Sequence, residues 1–294
     1  MLYDLGLRIA FAYEPPVRLS RHLLRVFPRD IPGVQRAIAT DLAIDPLPEE
    51  RSVFTDAFGN RTQDVFLRNE HARLDIRLTS RVERHAPPAP PAAGPLMEEL
   101  PAALEATHAL DGESPHHFIG PSQLIRPSPE AAAFARGVVH PGAPCADAVR
   151  ALGQALHAAM TFDPGATEVD TPYEEAFARR RGVCQDFTHI MIACLRGVGV
   201  PAAYVSGFIR TIPPPGQERL AGADAMHAWV RAWCGPNLGW IEYDPTNAVD
   251  VAEQHVVVAY GRDYFDVAPT KGVLRTAGAH EASLAVDLTE AVAR

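Results

Sequence analysis

Cysteine is scarce in this chain of 294 residues, and several familiar chemical signatures are missing with it. The four cysteines, Cys145, Cys184, Cys194 and Cys234, lie far apart and form no CxxC pair, which argues against a disulfide framework and a zinc ribbon. The histidines follow neither the HExxH pattern nor a combined Cys and His spacing, so no metal site is indicated. Phosphate-binding loops of the GxxxxGKS/T or GxGxxG type are absent as well.

Long apolar runs and an excess of positive charge are also absent. No stretch approaches the roughly 18 apolar residues of a membrane-spanning helix, and the N-terminal segment lacks the basic region and apolar core of a signal peptide. With 27 basic and 36 acidic side chains the formal net charge is −9, which does not suit binding to nucleic acid or to an anionic membrane. We therefore expect a cytoplasmic protein with reduced thiols, and neither nucleic acid nor membrane as its partner.

The first 84 residues are predicted to form short strands. Apolar and polar residues alternate in Leu5–Tyr13, Gln63–Leu67 and Leu74–Val82, and turn-forming residues separate these segments. This pattern predicts an antiparallel, β-sandwich-like domain over residues 1–84. Residues 85–100 are rich in proline and alanine and show no periodicity, so we expect a linker there.

Helical patterns follow the linker, and strands follow the helices. Helices are predicted at Pro129–Val138, Ala146–Met160 and Thr171–Arg181, and from Val183 to the glycines at 197 and 199. Strands are predicted at Ala203–Ile209, Ala225–Trp233, Trp240–Tyr243 and Val256–Tyr260. A helical half followed by a β half indicates an α+β domain, which we place at residues 101–294.

Cys184 stands in the segment GVCQDFTH, where the helix predicted from Val183 begins. The apolar stripe of this helix runs through Val183, Phe187 and Ile190, so Cys184 lies beside it in the first turn. Backbone N–H groups at a helix N-terminus lower the pKa of a thiol and can stabilise an oxyanion at an attacked carbonyl. Cys184 is therefore a candidate nucleophile, whereas Cys194 lies on the stripe and is expected in the core.

His227 and Asp244 follow on two strands that a short, turn-rich segment connects. If Trp233 pairs with Trp240, the same register puts Asp244 on the face of His227 and diagonal to it, within hydrogen-bonding reach. A thiol, an imidazole and a carboxylate can then act as nucleophile, general base and the group that orients the base. We predict that His227 Nδ1 donates to Asp244 and that Nε2 faces the sulfur of Cys184.

Weaker candidates surround this triad. Asp186, in the first turn of the same helix, is explained by the charge preference of a helix N-terminus, but it could also help to shape a substrate site. Three aromatic residues are candidates for the walls of a substrate cleft, although aromatic residues in such strands more often belong to the core: Tyr204, Trp229 and Tyr264.

These motifs resemble those of the bacterial transglutaminase-like proteins, a family within the papain-like cysteine-enzyme superfamily. The resemblance extends from about residue 171 to residue 272 and rests on RRGVCQDFTHIMIACLRGVGVPAAYVSGFI, AMHAWVRAW, GWIEYDPTN and GRDYFDVAP. The segments AYEPPV, LRVFPRD and DAFGN resemble the β-rich domain that precedes the catalytic domain in many members. One departure is Ala203, where family members often carry an arginine.

The resemblance implies a transglutaminase-like, papain-like fold in which helices pack on an antiparallel sheet. It implies that Cys184 is the nucleophile, His227 the base and Asp244 the orienting group, with no metal or organic cofactor. Members of the family transfer acyl groups at amide bonds, and most bacterial members of this kind are candidate cysteine peptidases. We expect a peptidase or amidase that acts on a peptide or protein through a thioester acyl-enzyme.

Two alternatives stay open at the level of the sequence. The first is transamidation, in which an amine accepts the acyl group in place of water, and the triad does not distinguish it because both reactions share the acyl-enzyme. The second is a non-catalytic module that holds peptide termini in the same cleft. An intact set of Cys, His and Asp argues against the second alternative, since a binding module does not need it.

Overall fold

The N-terminal strands alternate buried and exposed side chains, as expected for strands of a sandwich with one face in the core. The structure, a computed structural model, describes residues 1–87, 94–210, 226–275 and 278–291. The bounds of the N-terminal strands are β1 (Leu2–Val17), β2 (Ser20–Leu24), β3 (Gln35–Asp45), β4 (Glu50–Thr55), β5 (Arg61–Leu67) and β6 (His71–Arg84).

The central region contains the predicted succession of helices and then strands. The helices are α1 (Leu100–Glu105), α2 (Pro129–Arg136), α3 (Cys145–Ala159), α4 (Tyr173–Arg179), α5 (Cys184–Gly197), α6 (Gly235–Leu238) and α7 (Tyr264–Val267), with a 3₁₀ turn at Pro115–Phe118. The strands are β7 (Thr161–Phe162), β8 (Arg181–Gly182), β9 (Ala202–Ile209), β10 (Met226–Trp233), β11 (Trp240–Asp244), β12 (Val249–Asp250) and β13 (His255–Gly261). Within the described ranges, no helix is long and apolar enough to cross a membrane.

Helix α5 and a five-stranded sheet form the centre of this region. The strand order is β12-β11-β10-β9-β13, and all neighbouring strands are antiparallel. Helix α5 packs against β9 and β10 and against α2, α3 and α4. Its apolar residues are buried as the stripe predicted, among them Phe187, Ile190 and Cys194. The predicted α+β class and the packing of helices on an antiparallel sheet are confirmed.

The end of the chain does not stay with the helical region. Strands β14 (Thr270–Leu274) and β15 (Ala279–Glu290) return to the N-terminal strands and complete two four-stranded sheets, ordered β15-β1-β6-β3 and β14-β2-β5-β4. The assignment of the whole stretch 101–294 to the catalytic domain is wrong for these two strands. Val286 and Leu288 bury their side chains in the same apolar core as β1 and β6, which explains the position of β15.

The predicted linker is shorter than residues 85–100. Residues 88–93 lie outside the described residues, so the prediction stays untested for that part. Met97 and Leu100 are buried, and the backbone N–H of Met97 donates to the carbonyl of Ala143 at 2.9 Å. The second half of the proline-rich stretch is thus packed on the helical region, because the apolar side chains of Met97 and Leu100 are buried there.

Two carboxamide side chains of the N-terminal sheets cover the outer edge of β13. Gln35 donates from Nε2 to the carbonyl of Val257 at 2.7 Å and accepts from its N–H at 2.8 Å. Asn60 does the same with Tyr260, at 2.7 Å and 2.9 Å. An edge strand presents unpaired backbone groups, and these two amides satisfy them as a neighbouring strand would. We call this set of contacts the amide clamp.

Candidate active site

The start of α5 is fixed by Asp186, and this places Cys184 in the first helical turn. Asp186 Oδ2 accepts hydrogen bonds from the N–H of Val183 at 2.8 Å and from the hydroxyl of Thr167 at 2.6 Å, as the acidic half of a capping box does. A Cβ at Gly182 would lie 2.6 Å from the same oxygen, so only glycine fits there. Asp186 is 1% exposed and caps the helix from inside the protein, and its part in shaping a substrate site stays a prediction.

Cys184 is the one partly exposed thiol among the four cysteines, all of which are free and lie in described parts of the chain. Cys145, Cys194 and Cys234 are fully buried. Burial raises the pKa of the Cys194 thiol to about 12, so that thiol stays protonated at neutral pH. The first turn of α5 also presents backbone N–H groups that have no acceptor within the helix, and these point to the surroundings of Cys184.

The hairpin of β10 and β11 has the predicted register. Trp233 pairs with Trp240 and Arg231 pairs with Glu242, which places His227 diagonal to Asp244. Nε2 of His227 lies 2.7 Å from Oδ2 of Asp244. The two residues that the sequence predicts to lie within hydrogen-bonding reach are therefore in direct contact.

The nitrogen that makes this contact is not the predicted one. We expected Nδ1 of His227 to face Asp244, but the structure shows Nε2 in that position. Nε2 is the ring nitrogen farther from the backbone. Nδ1 is the nitrogen that does not bond Asp244, and the nearby Cys184 contributes to raising the pKa of this imidazole.

Asp244 is fully buried and is surrounded by hydrogen-bond donors. Besides His227, the donors are the side chain of Asn247 at 2.7 Å, Nε2 of His255 at 3.3 Å, and the backbone N–H groups of Thr246 at 2.9 Å and Asn247 at 3.2 Å. Burial raises the pKa of this carboxyl group, but the hydrogen bonds from His227 and His255 outweigh burial and hold the pKa well below its usual range. Asp244 is therefore ionised at neutral pH.

The carboxylate of Asp244 and the thiol of Cys184 both affect the pKa of the His227 imidazole. Burial lowers the pKa of the imidazole, whereas hydrogen bonds to Asp244 and Cys184 and the attraction of their charges raise it, to about 10 in sum. The structure thus favours an imidazolium next to the thiol of Cys184. A pair of thiolate and imidazolium is the reactive form of a cysteine nucleophile.

The sequence-based prediction missed Asn247 and His255 as partners of Asp244. The sequence could have indicated Asn247, because a side-chain amide three residues after an aspartate can reach back in a tight turn. No sequence pattern indicates His255, because β13 reaches the site by pairing with β9 and not with the hairpin that carries Asp244. Long-range pairing of this kind leaves no local pattern.

The three aromatic candidates differ in their surroundings. Trp229 is fully buried, its Nε1 donates to Glu242 at 2.8 Å, and its ring packs over Gly207, where a Cβ would lie 2.4 Å from the ring. The prediction that Trp229 lines a cleft is therefore wrong. Tyr204 is 2% exposed and its ring lies 6.3 Å from that of Tyr264. Tyr264 is half-buried and keeps its place as a candidate cleft residue.

Comparisons with known proteins agree with this architecture. Residues 132–245 match the model of the transglutaminase-like superfamily, and residues 3–83 match that of the bacterial transglutaminase-like N-terminal region. An uncharacterized protein of Mycobacterium tuberculosis is 36% identical over 251 residues, which cover 82% of this chain and 78% of the relative. One from Mycobacterium leprae is 29% identical over 284 residues, 95% of each chain.

A solved structure shows the same fold. The crystal structure of a candidate cysteine protease from Cytophaga hutchinsonii matches with a TM-score of 0.74 at 20% identity, and the match covers 98% of this chain and 90% of that chain. The likeness includes both the N-terminal sheets and the helical region with its five-stranded sheet. The chain belongs to the bacterial transglutaminase-like family.

Proposed function

We propose that the protein is a cysteine acyl-transfer enzyme, and specifically a peptidase or amidase with peptides or proteins as substrates. The observation that supports this most is the hydrogen bond of 2.7 Å between His227 and Asp244, with Cys184 close enough to raise the pKa of the same imidazole. The site thus combines a partly exposed thiol at a helix N-terminus with an imidazole whose raised pKa favours the charged form. This is the arrangement that nucleophilic catalysis by cysteine requires.

In the first half of the proposed reaction, the Cys184 thiolate attacks the carbonyl carbon of an amide. The oxyanion that forms lies near the N–H groups of the first turn of α5, which stabilise it. The His227 imidazolium then gives its proton to the departing amine, and the C–N bond breaks. The product of this half is a thioester between the acyl group and Cys184.

In the second half, the neutral imidazole of His227 takes a proton from water, and the resulting hydroxide attacks the thioester carbonyl. The C–S bond breaks, the carboxylic acid leaves, and the thiolate and imidazolium are restored. Asp244 stays ionised throughout, since its role is to orient His227 and to stabilise the imidazolium. Every proton is carried by His227, so the cycle closes without a further group.

The proposal is tested by looking for the acyl-enzyme. The protein is incubated with a peptide library, and intact mass spectrometry follows the thioester while chromatography follows the cleaved products. We expect both signals in the wild type and neither in Cys184→Ala. Cys194→Ala, which removes a buried thiol from the same helix, is the matched control and should retain both. Turnover by Cys184→Ala, or peptide binding without any covalent product, would contradict the proposal.

The choice between water and an amine as the acceptor is tested in the same assay. Addition of a labelled primary amine should leave the hydrolysed product dominant if the enzyme is a peptidase or amidase. Dominant incorporation of the label into the substrate would instead identify a transamidase. Because both outcomes pass through the same thioester, the acyl-enzyme measurement stands independently of this result.

We also propose that the protein works in the cytoplasm, where thiols stay reduced. The support is that all four thiols are free, including Cys145, whose Sγ donates to the backbone carbonyl of Trp233, directly before Cys234. An oxidising compartment would be expected to join such neighbours in a disulfide. Thiol counting on protein from its native source should give four free groups, and a Cys145–Cys234 disulfide would contradict the proposal.

A further inference from the structure

A second imidazole contacts the carboxylate of Asp244. Nε2 of His255 lies 3.3 Å from Asp244 Oδ2, the same oxygen that bonds His227. His255 is fully buried, and its ring packs edge-on against Trp229 with 5.2 Å between the ring centroids. The proposed reaction does not use this residue.

The surroundings of His255 fix which of its nitrogens carries the proton. Nδ1 lies 3.4 Å from the backbone nitrogen of Ala252, whose N–H donates to it, so Nδ1 is an acceptor. A proton on Nε2 can then be donated to Asp244. A ring held in this orientation is a donor of fixed direction to a buried carboxylate.

The strand that carries His255 is also held in place. The carbonyl of His255 accepts a hydrogen bond from Nε of the buried Arg84 at 2.7 Å, and the amide clamp holds the strand two and five residues further along, at Val257 and Tyr260. The N-terminal sheets therefore support the backbone from which His255 reaches Asp244. This gives His255 little freedom to move away from the carboxylate.

The same three groups, His227, Asp244 and His255, also lie close enough to be considered as metal ligands. Two ligands on a tetrahedral zinc, with bonds of about 2.0 to 2.1 Å, are separated by roughly 3.3 Å. The separation of 2.7 Å between His227 Nε2 and Asp244 Oδ2 is shorter than that and is normal for a charge-assisted hydrogen bond. The geometry favours hydrogen bonding over metal binding.

We propose that His255 is a positioning residue, which holds Asp244 in the orientation that keeps the His227 imidazolium directed at Cys184. This inference rests on the proposed function, because it assumes that the pair of Cys184 and His227 is the reactive centre. Without the donor from His255, Asp244 would hold the imidazolium less well. The imidazolium would then stabilise the thiolate of Cys184 less, and Cys184 would react more slowly with an electrophile.

Several titratable groups lie close to the reactive pair. Cys184 acts electrostatically on His227 from β10 and on Tyr204 from β9, and Asp186 of the same helix as Cys184 also acts on Tyr204. Asp244 is contacted by His227 and by His255 from β13, and Tyr243 lies close to it on β11. A change at His255 reaches the thiol through Asp244 and His227.

The test follows alkylation of Cys184 by iodoacetamide between about pH 5 and 9, read by mass spectrometry, because this reports the thiolate without a known substrate. In His255→Leu we expect alkylation near pH 6 to slow by about tenfold, the size expected for one lost hydrogen bond to a charged group. His255→Gln, which keeps an N–H donor, should retain most of the wild-type rate. His22→Leu, which removes a buried histidine of β2, is the control and should not change the profile.

Two comparisons separate this inference from the proposed function. If Asp244→Asn slows alkylation and His255→Leu does not, the role of His255 is refuted while the triad stands. If Asp244→Asn has no effect either, the triad itself is refuted. Stoichiometric zinc in the purified wild type that is absent from His255→Leu would show that His255 binds a metal. That result would overturn the positioning role.

A measurement on the wild type keeps the inference testable if His255→Leu does not fold. Long-range ¹H–¹⁵N correlation spectra of the imidazoles should show a proton on Nε2 of His255 and none on Nδ1. A proton on Nδ1 would leave Nε2 without a hydrogen to donate and would overturn the inference.

Discussion

His227 and Asp244 are joined by a hydrogen bond of 2.7 Å, although the residues lie on neighbouring strands and are not opposite each other. The diagonal contact depends on the register of the hairpin, in which Trp233 pairs with Trp240. A slip of one residue would turn Asp244 to the other face of the sheet. The loop of the hairpin and its strand pairing are therefore part of the site, even though neither touches the thiol.

Asp244→Asn should keep the fold and lower turnover strongly. The amide cannot stabilise the imidazolium and favours the wrong orientation of the ring, and the corresponding change in a serine protease lowers kcat by about 10⁴-fold. Asp250→Asn, which affects an exposed carboxylate paired with Arg150, should change turnover little. Steady-state kinetics of both variants, with thermal unfolding to confirm folding, give the comparison.

Cys184 should react with an alkylating reagent faster than the other three cysteines at neutral pH. The others are fully buried, and Cys194 has in addition a pKa raised to about 12 by burial. Peptide mass spectrometry after short exposure to the reagent identifies the modified position. Faster modification of Cys145 or Cys234 would show that the thiol chosen as nucleophile is the wrong one.

The local elements around the site could be predicted because their patterns are local. The apolar stripe of α5 placed Cys184 at the helix start, and alternation along β10 and β11 gave the face that His227 and Asp244 share. The nitrogen of His227 that faces Asp244 could not be derived in this way. It depends on the offset between two strands, which a sequence pattern does not specify at the level of one ring atom.

The return of the chain to its N-terminal sheets could not be predicted either. Strand β15 pairs with β1, so that Leu5 stands opposite Leu288, and the apolar alternation of β15 fits any antiparallel sheet equally well. The hydrogen bonds of Gln35 and Asn60 to the edge of β13 could not be predicted for a similar reason. Their partners, Val257 and Tyr260, lie about 200 residues away or more along the chain.

The stability that His227 contributes should fall as the pH rises. Its pKa is 6.5 as the ordinary value and about 10 in the folded protein, so the folded state binds the proton more tightly than the unfolded state does. The contribution is then complete below pH 6.5 and is lost as the pH rises through about 10. Asp244, with a depressed pKa, is ionised in the folded and the unfolded state over this pH range. It therefore does not change how the free energy of unfolding depends on pH.

Urea unfolding of the wild type and of His227→Gln measures this effect. The advantage of the wild type over the variant should shrink steadily between neutral and alkaline pH. An advantage that stays constant would show that His227 is neutral in the folded state, and one that grows would show that its pKa is lowered.

Gln35→Leu should destabilise the protein although it removes no charge and little volume. Gln35 is 3% exposed, and its loss leaves the N–H of Val257 without an acceptor, whereas the carbonyl of Val257 keeps the N–H of Arg29 at 3.0 Å. Each buried polar group left unsatisfied costs roughly 1–3 kcal/mol. Gln154→Leu, on an exposed position of α3, makes the same chemical change at the surface and should alter the free energy of unfolding little.

Gln35→Leu should also slow the alkylation of Cys184, because β13 carries His255 and the clamp holds β13 next to the site. A loss of stability without any change at Cys184 would limit the clamp to a structural role between the N-terminal sheets and β13. Equal stability of Gln35→Leu and Gln154→Leu would show that the backbone of β13 finds other partners when the amide is removed. Urea unfolding and the alkylation profile, taken on the same samples, distinguish these outcomes.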